Sequence, residues 1–368
     1  MATIAVDASY IFDANPTGTA TYSRKLIESL AKLNTPHRFL VCYRVSRFAR
    51  RREFLRPTNA TETGGPKFSV RLFQEPLTFW LPWQAELFHS LAQRPPAFHF
   101  KREVVTIFDI FPITGRDYST PEFQRKFSAL LREAAARAGR IVTLSKYTAD
   151  QLVQHCDVGR ERIRVIPSGV DVPDETIPRE ARWRERQSLV GEGKEMLLTV
   201  GALDVRKNVV NTLRALKFLP ERYRLVLAGG MGYGSQAILN LIGSERLESR
   251  VSMLGYVTAD QLLLLYQAAS ALLFPSLEEG FGLPVLEAMA CGTPVVTSQT
   301  SSLPEVGGDA ALYVDPRDPR DIAAKVVSAV EDSYLRQELI EKGLVRARQF
   351  PWSRTAEETL NVYNEMLQ

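Results

Sequence analysis

The sequence predicts an α/β protein made of two doubly wound parallel-sheet domains, and three observations carry that expectation. The chain has 368 residues, too many for one small core and enough for two domains of about 100 to 200 residues each. Short runs rich in Val, Ile and Leu alternate with longer segments of helical period, as buried parallel strands alternate with crossover helices. That alternation occurs twice, on either side of a stretch rich in proline and charge at residues 171–186, which reads as an exposed linker. A composition of 45% apolar and 24% charged residues excludes a disordered, collagenous or coiled-coil chain.

In the first half, strands are expected at 3–7, 37–43, 104–109, 140–145 and 163–169, and helices at 22–33, 121–138 and 148–154. The second half repeats the pattern, with strands at 196–201, 223–230, 251–257, 271–276, 294–298 and 311–315 and helices at 209–218, 234–244, 258–269 and 284–290. Helices then follow from 319 to about 350. Pro351 and Trp352 mark a change of direction before a final amphipathic helix at 353–367. The expected division is 1–175, 176–350, and a terminal helix at 351–368 that crosses back to the first domain. The cleft between the two domains is the default site.

A net charge of +4 is too small to imply nucleic-acid binding. The arginines are nevertheless uneven: residues 44–56 hold Arg44, Arg47, Arg50, Arg51, Arg52 and Arg56 against Glu53, with Phe48, Phe54 and Leu55 interleaved. Two readings stand, a patch for anionic lipid headgroups and a solvated face whose arginine stems lie on the core. Cys42, Cys156 and Cys291 are far apart and form no CxxC, which fits a reducing cytosol and gives no zinc site. Asp7 follows a very short apolar run, too soon for a signal peptide, and no segment approaches a membrane span. The expectation is a cytoplasmic protein, peripheral on the membrane if the arginine patch binds lipid.

Residues 271–298, ALLFPSLEEGFGLPVLEAMACGTPVVTS, read as strand, glycine-bearing loop, helix and strand. Gly280 and Gly282 let a backbone approach a ligand closely, Pro284 suits the first helical position, and Gly292 suits the C-terminal stop. Such a helix start offers unpaired N–H groups and a positive dipole end to an anion such as a diphosphate. Glu279 in the loop and Glu287 in the first helical turn would flank that anion and accept hydrogen bonds from sugar or ribose hydroxyls. The plainer alternative is a solvated loop acid and an acid favouring the helix dipole. At 199–208, TVGALDVRKN, a strand ends at Gly201 and Asn208 is a suitable N-cap for the next helix. Arg206 and Lys207 would then stand at the carboxyl end of the strand, where open α/β sheets bind ligands, unless they are two basic residues in a surface turn.

Other motifs carry less. Asp315, Asp318 and Asp321 alternate with arginines and read as turn and cap residues, so no metal cluster is expected. The glycines of AGGMGYGS at 228–235 do not fit GxGxxG, and His89 in LFHS is either structural or part of the site.

The pair Glu279 and Glu287 within EEGFGLPVLEAMACGTPVV resembles the signature of retaining glycosyltransferases of family 4, whose GT-B fold sets two Rossmann-like domains about a central cleft. The segments at 201–208, LVLAGG, LGYV, IPSGVD and the early VDASY with TGTATYSRKLIESL extend the resemblance over essentially the whole chain. It implies a mannosyltransferase-like enzyme whose second half binds a nucleotide sugar and whose first half holds the acceptor. By resemblance, Glu287 binds the donor ribose, Glu279 the sugar hydroxyls, and Arg206 and Lys207 the diphosphate. Gly280, Phe281, Gly282 and Leu283 would contact sugar and phosphate, Gly201 would belong to the substrate-binding set, and Tyr256 and Val257 would lie near the base. Gly18 would face the diphosphate, and Asp109 would lie on the acceptor side. Two positions depart from many relatives, Phe108 where they carry His and Ala202 where they carry Arg.

The implied reaction is transfer of a hexose, first mannose from GDP-mannose, to a saccharide or lipid-linked saccharide in cell-surface polysaccharide synthesis, without a metal. A GT-B sugar-nucleotide epimerase and a catalytically silent nucleotide-sugar-binding module are the alternatives.

Overall fold

The computed structural model describes residues 1–12, 17–48, 67–75, 77–78, 80–115 and 117–368. They form two compact units. The first is Met1–Thr114, Pro121–Gly169 and Phe350–Gln368, and the second is Gly115–Thr120 and Val170–Gln349.

The first unit carries a parallel sheet of β1 (Thr3–Asp7), β2 (Arg38–Arg44), β3 (Lys67–Phe73), β4 (Leu87–Ser90), β5 (Glu103–Thr106), β6 (Arg140–Thr143) and β7 (Ile163–Val165). Their order is β3-β2-β1-β4-β5-β6-β7. Central strands of such a sheet are buried on both faces, so they are largely apolar: every residue of β2 after Arg38 is buried, the run at 39–43 and the terminal Arg44 alike. Val6 of β1 pairs with Val41 on one side and His89 on the other. Helices Gly18–Leu30, Pro121–Arg137 and Lys146–Cys156 pack on the sheet, the last capped by Ser145, whose Oγ accepts from the Thr148 N–H at 3.1 Å. The terminal helix Trp352–Leu367 closes this unit. Thr355 Oγ1 donates to the Pro167 carbonyl at 2.8 Å, and Glu365 receives Arg140 and Arg164, each at 2.6 Å.

The second unit repeats the plan with β8 (Glu195–Val200), β9 (Tyr223–Ala228), β10 (Val251–Gly255), β11 (Ala271–Phe274), β12 (Val295–Ser298) and β13 (Leu312–Val314), ordered β10-β9-β8-β11-β12-β13. Strand succession reverses between β8 and β11, which opens a crevice at their carboxyl ends. One face of this sheet packs Leu197, Leu225, Leu227, Leu273, Val296 and Val314 under helices that include Val209–Leu216 and Pro319–Glu331.

Several expectations need correction. The edge strand β3 and the four-residue β4 are not among the strands read from the sequence: β3 exposes three of its residues, so its apolar signal is diluted, and β4 is very short. Half of the expected linker is helical, Arg179–Val190; its charged sequence buries only Val190, so it lacks an apolar stripe, yet Arg186 Nε anchors it to the Ala268 carbonyl at 2.7 Å. The helices expected from 319 to about 350 are found as Pro319–Glu331 and Ser333–Arg348, the second started by Asp332, whose Oδ1 accepts from the Tyr334 and Leu335 N–H groups. The units divide at 169/170 and 349/350 rather than at 175/176 and 350/351. Gly169 lies against Trp352, where a Cβ would come within 2.5 Å of the indole, so the chain stays with the first unit up to that residue.

Arg44 does not belong to a surface patch. It is buried, paired with Asp7 at 3.4 Å and Glu75 at 2.9 Å, and lies over the Phe73 ring at 5.0 Å. The Arg47 side chain and Arg50, Arg51, Arg52 and Arg56 lie outside the described residues. No helix among the described residues is long and apolar enough to cross a membrane.

Candidate active site

Four residues after β8 ends, Asp204 caps a short turn, Val205–Lys207, by accepting the Lys207 N–H on Oδ1 at 3.0 Å. Gly201 has φ +120°, and a Cβ there would come within 3.1 Å of Lys207 Cε; the glycine makes room for the lysine to turn back over the strand end. Asn208 stands at the expected N-cap position of Val209–Leu216, but its side chain makes no capping bond. It adopts φ 58° and its Nδ2 donates to the Pro275 carbonyl at 2.9 Å and the Pro316 carbonyl at 2.6 Å, tying together the loops after β8, β11 and β13.

The loop after β11 closes on this turn. The Leu277 N–H donates to the Arg206 carbonyl at 2.8 Å, and Arg206 Nη1 donates to the Glu278 carbonyl at 2.8 Å and to Glu279 Oε2 at 2.7 Å. Lys207 Nζ donates to Glu279 Oε1 at 2.6 Å and stands 4.4 Å from the Phe274 ring centre. Arg206, Lys207 and Glu279 thus form one ion triad with side chains 12%, 10% and 9% exposed. Burial alone would raise the Glu279 carboxyl, but the Arg206 and Lys207 charges outweigh it and hold the pKa at about 2. Burial pulls the Lys207 ammonium below its ordinary value, against the opposing pull of Glu279.

Ser301 Oγ accepts the Glu279 N–H at 3.0 Å, and Ser302 Oγ donates to the Glu279 and Phe281 carbonyls at 2.9 and 2.8 Å. The carboxylate and its loop are therefore fixed in place. Gly282, at φ +114°, leads into the helix Leu283–Ala290; a Cβ there would meet Leu303 Cδ2 at 2.8 Å. Since that helix begins at Leu283, Pro284 is its second residue rather than its first, and Glu287 lies in the second turn rather than the first. Gly292 follows the helix at φ +71°, the expected stop. Tyr266 donates its hydroxyl to Glu287 Oε2 at 2.7 Å, and burial raises the Glu287 carboxyl above the ordinary range.

Glu279, Glu287, Arg206, Lys207, Gly201, Gly280, Phe281, Gly282 and Leu283 all belong to the second unit, grouped around the carboxyl ends of β8 and β11. Tyr256, 44% exposed, and Val257 follow β10 and precede the capped helix Ala259–Ala268. The loops after β10, β9 and β8 continue the sheet side by side, Gly229 N–H to Gly255 carbonyl at 2.7 Å and Leu203 N–H to Gly230 carbonyl at 2.8 Å. Gly18 and Asp109 belong to the first unit: Gly18 opens the helix Gly18–Leu30, and Asp109 is half-buried after β5. Phe108 packs edge-on against Tyr22 with ring centres 5.1 Å apart.

His89 is a core residue, wholly buried between the Tyr363 hydroxyl at 2.6 Å and Thr106 Oγ1 at 2.9 Å. Asp315, Asp318 and Asp321 accept local backbone N–H groups at 2.8 to 2.9 Å, as turn and cap residues do. Among the described residues no group of three His, Cys, Asp or Glu is placed to hold a metal ion. Sequence reasoning missed Tyr266, Ser301, Ser302 and Phe274; the Ser-Ser pair before Leu303 and Pro304 is the one local signal, because serines before a helix commonly bind backbone groups.

The family profile described as "Glycosyltransferase Family 4" matches residues 16–173, and "Glycosyl transferases group 1" matches residues 181–346. The O-antigen chain mannosyltransferase B of Escherichia coli is 33% identical over 271 residues, 72% of this chain and 70% of that protein. The serotype-specific mannosyltransferase WbdA of Escherichia coli is 31% identical over 278 residues, 73% of this chain but 34% of that protein, so the chain spans about a third of that relative's length. Among solved structures, Anabaena HepE in complex with UDP-glucose superposes with a TM-score of 0.77 at 18% identity, covering 99% of this chain and 100% of that one. WaaG, a glycosyltransferase involved in lipopolysaccharide biosynthesis, gives 0.73 at 18% identity, covering 98% and 99%. These neighbours establish the GT-B fold. With one profile on each half of the sequence and a relative at one-third identity aligned over most of its length, the chain belongs to the family 4 glycosyltransferases and is a glycosyltransferase.

Proposed function

We propose that the chain moves a hexose, with retention at the anomeric carbon, from a nucleotide diphosphate sugar to a hydroxyl of a saccharide or lipid-linked saccharide in cell-surface polysaccharide synthesis. GDP-mannose is the first donor to test, because the relatives named above are an O-antigen chain mannosyltransferase and a serotype-specific mannosyltransferase. The observation that carries the reading is the buried triad Arg206–Glu279–Lys207 at the strand-order reversal of the second sheet, beside the Gly282 entry into a helix. Two cations this close repel one another, and the shared carboxylate keeps both in place before a ligand arrives.

In this reading Arg206 and Lys207 use their remaining N–H donors on the diphosphate and stabilise it as it leaves. Glu279 accepts from the hydroxyls of the transferred sugar with its remaining lone pairs. Glu287, with Oε2 held by Tyr266, offers Oε1 to the ribose. A phosphate oxygen of the donor takes the proton of the attacking hydroxyl, so no protein base is required. Two fixed cations supply the charge that a divalent ion would otherwise bring, and transfer proceeds in the presence of a chelator.

A thermal-shift screen of GDP, UDP, dTDP and ADP sugars tests the reading. A donor at one hundred times its Kd adds about 2.7 kcal/mol of stability to the state that binds it. GDP-mannose should raise Tm for the native protein and not for Lys207→Met. If none of the four nucleotide classes moves Tm, the assignment of this site is wrong. Incubation with donor alone separates an epimerase, which would change the donor sugar without an acceptor.

A further inference from the structure

Phe274 is the last residue of β11 and is wholly buried at the carboxyl edge of the second sheet. Side chains alternate along a strand, and Ala271 and Leu273 join the core beneath the helices, so Phe274 stands on the other face. The backbone around it is pinned from both neighbouring strands. Thr199 Oγ1 on β8 donates to the Leu273 carbonyl at 2.8 Å, and Thr297 Oγ1 on β12 donates to the Phe274 carbonyl at 2.9 Å. The next carbonyl, that of Pro275, accepts Asn208 Nδ2 at 2.9 Å. The ring therefore has a fixed place, and Lys207 comes to it. Gly201 leaves room for the lysine stem, and Nζ stands over the ring at 4.4 Å from its centre.

A cation over an aromatic face is drawn to the negative side of the ring quadrupole, more strongly where water is excluded. Water is excluded here, since the Lys207 side chain is almost wholly buried. A buried ammonium tends to give up its proton, and burial is the largest influence pulling Lys207 below its ordinary value. The charged groups that face it are Glu279, which accepts its N–H at 2.6 Å, Arg206, Asp204 and Glu287. Arg206 repels the ammonium and shares the same carboxylate, donating to Glu279 Oε2 at 2.7 Å. The ring differs from all of these groups. It does not titrate, and it attracts the charge as a whole without offering a carboxylate lone pair to an N–H.

We propose that Phe274 is a positioning residue for glycosyl transfer: its ring face holds the Lys207 ammonium charged and in place at the end of β8, aimed at the donor diphosphate and at the negative charge that builds there as it leaves. This rests on the donor-site reading above and deepens it, with Lys207 touching the diphosphate and Phe274 acting through Lys207. A side chain already held where the ligand needs it is not ordered at the expense of binding, which is the advantage the ring confers.

The experiment is calorimetric titration of the full chain with GDP, UDP, dTDP and ADP between about pH 7 and 10, comparing the native protein, Phe274→Leu, and a protein with trifluorinated phenylalanine at position 274. Fluorination removes the negative ring face and keeps the ring's shape, so it separates the electrostatic role from packing. Affinity for the nucleotide that binds should fall about tenfold on fluorination, the size of one long side chain left to be ordered by the ligand. Native affinity should also drop at alkaline pH as Lys207 loses its proton. Because the ring favours the ammonium, fluorination should move that drop to lower pH, by about one unit for a tenfold change. A role in packing alone would weaken binding in Phe274→Leu and leave the fluorinated protein with native affinity and an unmoved alkaline drop. That result overturns the proposal and leaves the donor site standing; the fluorinated protein gives it even if Phe274→Leu does not fold. Failure of the native protein to bind any of the four nucleotides overturns the donor-site reading, and the positioning role falls with it.

Discussion

Glu279 sits between two cations, and its loss would act on them as much as on any ligand. With the carboxylate neutralised, Arg206 and Lys207 remain buried beside each other, and breaking a buried ion pair from one side costs about 3 to 5 kcal/mol. Glu279→Gln should therefore lower stability by about 3 kcal/mol in urea unfolding, and turnover by about 10²-fold for lost transition-state electrostatics. Adding Lys207→Met removes one of the stranded charges, so the double variant should be less destabilised than the sum of the singles, with a coupling of about 1 to 3 kcal/mol. Additive losses would mean that the triad is not a unit. The three residues were legible in the sequence because Glu279 adjoins Gly280, and because Arg206 and Lys207 lie in the short loop that follows a strand end and Gly201. Asn208 was not: its partners Pro275 and Pro316 lie 67 and 108 positions away, and local spacing favours the cap it does not make. Tyr266 was hidden likewise, as one more aromatic on a helix until folding brings Glu287 to its hydroxyl.

Elements were legible where burial is two-sided. The inner strands of the second sheet, β8, β9, β11 and β12, read as apolar runs because both faces are covered, and the part-buried edges β10 and β13 keep enough apolar residues to be read as well, whereas β3 at the edge of the first sheet and the brief β4 fall below that signal. β4 matters all the same, because its His89 joins β5 through Thr106 and the terminal helix through Tyr363. Burial pushes the His89 imidazole down to about 3, against about 6.5 for an exposed histidine. Between those values the unfolded chain binds a proton that the folded chain refuses, so stability falls as pH is lowered through this range, by about 1.36 kcal/mol per pH unit from this group. Urea unfolding at about pH 6, 5 and 4 should carry that contribution in the native protein, and His89→Gln should remove one proton's worth of slope. An equal slope in both proteins would place the protonation elsewhere.

At the scale of the whole chain, the same strand order is built twice, but only the first sheet depends on residues from the far end of the sequence. Trp352, Ala356, Val362 and Tyr363 are buried in the terminal helix, and that helix belongs to the first unit together with Gly169 and all that precedes it except Gly115–Thr120. Burying a large apolar side chain is worth about 1.5 to 3 kcal/mol, so the helix contributes an amount comparable with the 5 to 15 kcal/mol that holds a typical domain together. Truncation after Gln349 should therefore unfold the first unit and leave the second, which carries Arg206, Lys207, Glu279 and Glu287, able to fold. In calorimetry the truncated chain should lose one transition, and limited proteolysis should digest residues 1–169 first. The remaining transition should still rise in temperature when the nucleotide found by the donor screen is added. Loss of that response along with the helix would mean that nucleotide binding requires the first unit, and persistence of both transitions would mean that the helix is an appendage rather than part of the first core.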